Sequence, residues 1–154
     1  MQGPACQMLR PGLTQENYFF DFTFEGEKNE KFAEKIITFL EGIKADFPFI
    51  TENKLIINSE NSFPHSAGIA SSASSMSALA LCLLSQSMIA DKKEYKPEEF
   101  YQKASHYARI GSGSASRSVY PDFAVWGKSA HIKNANDKFA IQYPDKFNSD
   151  FNEL

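Results

Sequence analysis

In the stretch "YFFDFTFEG", Phe20, Phe22 and Phe24 alternate with Asp21 and Thr23. A period of two puts the three rings on one face and predicts a half-buried strand. From Asn29 the period lengthens: Phe32, Ile36, Leu40 and Ile43 recur at helical spacing with Lys and Glu between them, and Gly42 lies close to the expected end. "KLIINSEN" from Lys54 predicts a second strand, which runs into a loop at "NSFPHSAGIASSAS". Residues 71–90 are apolar nearly all round, the mark of a buried helix. "YKPEEFYQKASHYAR" predicts another helix, with Pro97 in its first turn, Glu98 and Glu99 at the positive end of its dipole, and an apolar stripe of Phe100, Ala104 and Tyr107 or Ala108. Beyond a Gly/Ser stretch, "DFAVWG" and "AHIKN" predict short strands and "KFAIQYP" a weaker one. The segment through Gln15 contains Gly and Pro without periodicity and reads as loop or poorly ordered terminus. The predicted order is β-α-β-α-α-β-β: an α+β, two-layer domain over residues 16–145, flanked by the segment 1–15 and a tail at 146–154.

Composition narrows the classes of function. The 154 residues are enough for one domain with a real core, and a hydrophobic fraction of 42% with 14 Phe argues for a folded globule. A formal net charge of -3 provides no broad basic face, which argues against nucleic acid but leaves room for a small anionic ligand in a local pocket. Cys6 and Cys82 form no disulfide framework, and Cys82 in its apolar run reads as an inert buried thiol. "MQGPACQMLRPG" lacks a signal-peptide core, and "ALALCLL" is too short to span a bilayer, so the expectation is a cytoplasmic protein with no membrane partner. His65, His106 and His131 share no spacing, so no metal ligands are assigned. Trp126 is expected in the core, and Glu98 and Glu99 as helix-start charges.

Two loops carry candidate chemistry. The first, "PHSAGIASSASSMSALAL", leads from a strand through Pro64 and Gly68 into serines that open a helix. Free N–H groups and the dipole at a helix start attract phosphate; Gly68 allows close approach of the backbone, and Ser71 and Ser72 add hydroxyls. An ordinary N-capped helix has the same local pattern. The second, "ARIGSGSASRSVY", places Gly111 as the expected C-cap of the preceding helix, frees the backbone again at Gly113, and offers Ser112, Ser114, Ser116 and the donor fork of Arg117. A capped loop with Arg117 paired to a nearby acid is the plainer alternative. Two such loops in one small domain make a site for two anions as reasonable as the plainer alternatives. No Gly-x-Ser-x-Gly elbow on a strand–helix turn supports serine hydrolase chemistry.

"NSFPHSAGIASSASSMSALAL" resembles the central phosphate-loop motif of the GHMP kinase superfamily, and its "GIASSAS" form resembles the diphosphomevalonate decarboxylase branch. "RIGSGSASRSVY" is similar to that branch's signature Gly-Ser-Gly-Ser-Ala-Cys-Arg-Ser, the more specific of the two motifs. The resemblance covers residues 16–141 and matches the middle of a family member. It implies a ribosomal-S5-domain-2-like fold, that of the superfamily's N-terminal domain, here incomplete. The implied reaction is the ATP-dependent decarboxylation of (R)-5-diphosphomevalonate to isopentenyl diphosphate, with ADP, phosphate and CO2, in isoprenoid biosynthesis.

By the same resemblance, Ser66, Ala67, Gly68, Ile69, Ala70, Ser71 and Ser72 would cradle the ATP phosphates, with Mg2+ accompanying ATP. Ser112, Gly113, Ser114, Ala115, Ser116 and Arg117 would form the substrate site, with Arg117 orienting the carboxylate. Ser116 stands where the family usually has Cys, and "YPDF" where many members have a Gly-Gly turn. The sequence contains neither a Lys-Tyr-Trp-Gly-Lys segment nor the Asp-Ala-Gly-Pro-Asn segment that carries the family's catalytic Asp, and residues 1–15 look unlike any part of the family. The chain as given is therefore expected to be inactive, and a homodimer is left open. The alternatives are a related mevalonate-type kinase and a non-catalytic anion-binding or interaction module.

Overall fold

The computed structural model describes residues 5–9, 20–60 and 71–144. In chain order these form β1 (Ala5–Leu9), β2 (Phe20–Phe24), α1 (Glu30–Ile43), α2 (Phe49–Glu52), β3 (Lys54–Ser59), α3 (Ser71–Asp91), α4 (Pro97–Gly111), α5 (Ala115–Ser118), β4 (Ala124–Val125) and β5 (Ile141–Gln142). The α+β class follows directly, with helices packed on a small sheet.

β2 and β3 are parallel, with Phe20 opposite Leu55 and Phe24 opposite Ser59. Parallel neighbours need a crossover, and α1 supplies it. The helix starts where the side chain of Asn29 accepts the Phe32 N–H at 3.1 Å, with Glu30 in the first turn beside the positive end of the dipole. Ile36, Phe39, Leu40 and Ile43 then bury one stripe of it, at the spacing the sequence predicts. The return to β3 passes through Phe47, Phe49 and Ile50, all buried; the Phe47 ring lies edge-on to Phe49 at 5.9 Å and to Tyr107 at 4.7 Å.

β1 corrects the reading of residues 1–15 as loop. Ala5–Leu9 runs antiparallel to β3, from Ala5 opposite Asn58 to Leu9 opposite Lys54, giving the sheet order β1-β3-β2. With β2 along one edge only, β3 would leave a row of backbone N–H and C=O groups unpaired on the other; β1 satisfies them. That demand comes from β3 and leaves no periodicity in β1 itself.

α3 crosses the middle of the molecule. It is long and apolar enough, over Ser72–Asp91, to cross a membrane by length and composition, which the run "ALALCLL" alone did not suggest. Here Met76, Ala80, Leu83 and Leu84 are buried in the common core with Ile36, Phe39 and Leu55. α4 and α5 pack against it. Ala104, Ser105 and Ala108, all small, form the buried face of α4.

The C-terminal part departs from the predicted strands. β4 and β5 pair antiparallel over two residues each, Ala124 with Gln142 and Val125 with Ile141. "AHIKN" forms no strand. Within it the Ser129 hydroxyl accepts the His131 N–H at 3.2 Å, and on either side Asp137 Oδ1 accepts the Lys128 N–H at 3.1 Å and Asn136 Oδ1 those of Lys138 and Phe139 at 2.8 and 3.1 Å. Such local Asn and Asp bonds displace a ladder. Trp126, expected in the core, is 38% exposed.

Candidate functional site

The Gly/Ser stretch is a tight corner between α4 and α5. Gly111, the expected C-cap, is instead the last residue of α4, and the cap is Ser112, whose N–H donates to the Ala108 carbonyl at 3.0 Å. Glycine is required at 111 for space: a Cβ there would lie 2.8 Å from Met76 Sδ and 3.1 Å from Phe39 Cδ2. Met76 lies one turn into α3 beyond Ser72. The contact therefore sets the corner beside the beginning of α3.

From Ser112 the chain folds onto itself. The Ala115 N–H donates to the Ser112 carbonyl at 2.9 Å, the Ser116 N–H to Gly113 at 3.3 Å and the Arg117 N–H to Ser114 at 3.3 Å. α5 thus replaces the loop the sequence suggested. Its winding separates the six predicted residues into two sets. Ala115 and Ser116 are fully buried, and the Ser116 hydroxyl donates to the Gly113 carbonyl at 2.8 Å, so neither side chain presents an atom to a ligand. Ser112 and Ser114 lie at the surface side, their hydroxyl oxygens 3.4 Å apart. Arg117 is exposed, and among the described residues no carboxylate pairs with it. Helical geometry explains the split, since consecutive residues of a turn cannot all share one face.

Behind the corner stand Ser105 and Tyr120, to which the sequence reading gave no role, and beside it Trp126, which that reading placed in the core. Ser105, 0% exposed, donates its hydroxyl to the Ser116 carbonyl at 2.7 Å and accepts the Ala140 N–H at 2.7 Å. The Tyr120 hydroxyl donates to the Ala140 carbonyl at 2.7 Å. Burial pushes the Tyr120 phenol up to about 12, so it stays protonated and donating across the physiological range. The Trp126 ring covers Gly113, with Cη2 3.3 Å from where a Cβ would stand, and its Nε1–H donates to the Asp137 carbonyl at 3.1 Å. The available signal for Ser105 was a hydroxyl flanked by alanines on the inner stripe of α4.

Of the first loop, Ser66, Ala67, Gly68, Ile69 and Ala70 lie outside the described residues, as does His65. Ser71 opens α3 and Ser72 is half-buried in its first turn, where no acidic residue stands to repel an anion. His106 contacts the Lys138 carbonyl through Nδ1 at 3.2 Å, and Arg109 Nε donates to the same oxygen at 3.0 Å. Among the described residues no three His, Cys, Asp or Glu side chains converge to hold a metal ion. A groove of about 350 Å³ elsewhere on α4, lined by Gln102, Lys103, His106, Tyr107 and Phe139 among others, contains none of the predicted site residues.

A family model described as the diphosphomevalonate decarboxylase-like N-terminal domain matches residues 10–140. The chain belongs to this family. The match begins inside the segment that looked foreign to the family. Among curated relatives, the diphosphomevalonate decarboxylase of Eremothecium gossypii is 40% identical over 106 residues, and that of Saccharomyces cerevisiae 36% over 106 residues. Each alignment takes in 69% of this chain and 24% of the relative, so the chain spans about a quarter of the length of these family members.

Solved family structures share the fold. The mevalonate diphosphate decarboxylase from Enterococcus faecalis is 33% identical, with a TM-score of 0.58 over 80% of this chain and 35% of that one. A structure holding MVAPP, AMPPCP and magnesium is 32% identical, with a TM-score of 0.58 over 80% of this chain and 34% of its own. The enzyme from Legionella pneumophila, 23% identical, matches in fold with a TM-score of 0.65 over 95% of this chain and 43% of its own.

Proposed function

We propose that this chain is the substrate-orienting and phosphate-binding part of an ATP-dependent diphosphomevalonate decarboxylase that makes isopentenyl diphosphate. The observation that carries the reading is the exposed Arg117, one helical turn after Ser114 and on the same corner as the paired Ser112 and Ser114 hydroxyls, with no carboxylate partner among the described residues. A planar fork of donors suits the substrate carboxylate, and two hydroxyls suit the neighbouring oxygens of a compact, highly charged molecule. Ala115 and Ser116 stiffen the turn from within, and Gly113 keeps its backbone close to the Trp126 ring.

Residues 66–72 are assigned to the nucleotide phosphates. The acid-free first turn of α3 fits an anion, and the Met76–Gly111 contact brings that end of the helix towards the corner. ATP supplies the phosphoryl group that turns the substrate's tertiary hydroxyl into a leaving group. Mg2+ arrives with it, held chiefly by phosphate oxygens and water, as is usual for this ion. Arg117 orients the carboxylate towards the carbon at which positive charge develops, and the serine hydroxyls are neutral donors that adapt as the charge moves. The sequence contains no segment of the kind that carries the family's catalytic Asp, so the 154 residues alone are expected to bind without turnover.

Thermal unfolding with and without 5-diphosphomevalonate tests this reading. At a hundredfold excess over Kd, a ligand specific to the native state stabilises by about 2.7 kcal/mol. Arg117→Ala should abolish the shift yet leave the unliganded protein within about 0.5 kcal/mol of wild type, because the side chain is exposed. A cooperatively folded wild-type chain that shows no shift would refute the assignment of the corner to this substrate.

A further inference from the structure

We infer that Ser105 is a positioning residue: its buried hydroxyl sets the place of the Ser112–Arg117 corner and, through it, of Arg117. This rests on the reading of the corner as the substrate-facing surface.

Ser105 lies on the inner face of α4, two turns before the helix ends, and is 0% exposed. Helical serines commonly return their hydroxyl to a carbonyl of the preceding turn of their own helix. Ser105 instead donates across to the Ser116 carbonyl in α5 at 2.7 Å, eleven residues on. The same oxygen accepts the Ala140 N–H at 2.7 Å, thirty-five residues on. One oxygen thereby joins α4, α5 and the approach to β5.

The bonds continue on both sides. Ser116 donates its hydroxyl to the Gly113 carbonyl at 2.8 Å, on the near side of the corner. Ala140 receives the Tyr120 hydroxyl on its carbonyl at 2.7 Å, and the Tyr120 N–H donates to the Arg117 carbonyl at 3.2 Å. The backbone carrying Arg117 is therefore held at Ser116 by Ser105 and at Tyr120 by Ala140, itself bonded to Ser105. Without the hydroxyl, a buried carbonyl and a buried N–H both lose this partner, and the tie that joins α4, α5 and Ala140 is gone.

The chain reports this movement itself. Trp126 is the single tryptophan, and its ring covers Gly113 inside the corner. We would compare Ser105→Ala with Leu83→Ala, a core truncation in α3 that touches none of these bonds, in the full 154-residue chain at a temperature where circular dichroism shows each to be folded. The expected result is that Ser105→Ala raises the acrylamide quenching of Trp126 at least twofold and weakens 5-diphosphomevalonate binding at least tenfold, whereas Leu83→Ala lowers the melting temperature and leaves both readouts at the wild-type value. Should Ser105→Ala not fold, Ser105→Cys, similar in volume with a weaker donor, is read in the same way. Wild-type quenching and affinity in the serine variant overturn the inference, as does an equal change in Leu83→Ala. If the wild-type chain does not bind 5-diphosphomevalonate, the functional reading fails, and quenching alone decides: a rise confined to the Ser105 variant upholds its hold on the corner, and no rise refutes it.

Discussion

Gly42 and Gly111 both sit near the ends of packed helices, and their surroundings make them unequal. At Gly42 a Cβ would meet Ile110 Cγ2 at 3.4 Å, an ordinary contact, so Gly42→Ala should stabilise by about 0.5–1 kcal/mol through the lower entropy cost of a helical alanine. At Gly111 the same atom would meet Met76 and Phe39, both buried in the core. Overpacking there costs about 1–3 kcal/mol and outweighs the gain in propensity. Gly111→Ala should therefore lower the urea midpoint while Gly42→Ala raises it. From sequence, Gly111 had the look of a cap; the crowding that explains it involves side chains 35 and 72 positions away. Ser116 and Arg117 carry the same lesson. Their residue types marked the site, but only the winding of α5 sends one inward to the Gly113 carbonyl and the other to the surface.

At the scale of elements, amphipathic pattern and capping chemistry made α1 legible. Asn29 and the stripe Ile36, Phe39, Leu40 and Ile43 act within one helix, with nothing distant needed to place them. The Asn29 cap should be worth about 1 kcal/mol. Asn29→Ala is expected to lower stability by that amount in denaturant titration, and Asn29→Asp to stay close to wild type, since the carboxylate also accepts the Phe32 N–H. β1 and "AHIKN" show where such reading stops. β1 exists because β3 has an open edge to pair, and nothing in its own sequence says so. "AHIKN" has residues a strand could use, but its His131 N–H turns to the Ser129 hydroxyl, and the Asp137 and Asn136 side chains take up backbone donors on either side of it.

Across the whole molecule, Tyr120 ties α5 to β5 by a phenol half-buried among the helices. Its folded pKa of about 12 lies above the 10.0 of an ordinary phenol, so between these pH values the native state holds a proton that the unfolded chain has lost. The stabilising contribution is complete below about pH 10 and is lost as pH rises through about 12. Stability should fall across that window, and Tyr120→Phe should flatten the fall. The variant should also cost about 0.5–1.5 kcal/mol at neutral pH through the hydrogen bond to Ala140. Urea midpoints taken from pH 8 to 12 for both proteins would check the two effects together; parallel curves would remove Tyr120 as the source.

The sequence by itself determined the α+β class, the main helices and the two parallel strands β2 and β3, because their signals are local: periodicity, caps and turn residues act within a few positions. It also determined the chemistry available at the corner, through Ser112, Ser114 and Arg117. Only the tertiary structure decided which of those groups faces outward, why Gly111 has no side chain, and that Ser105, Tyr120 and Ala140 hold the corner from behind. The reason is physical. Burial and long-range hydrogen bonds depend on which surfaces meet once the chain has folded, and a one-dimensional pattern contains no record of the distances between them.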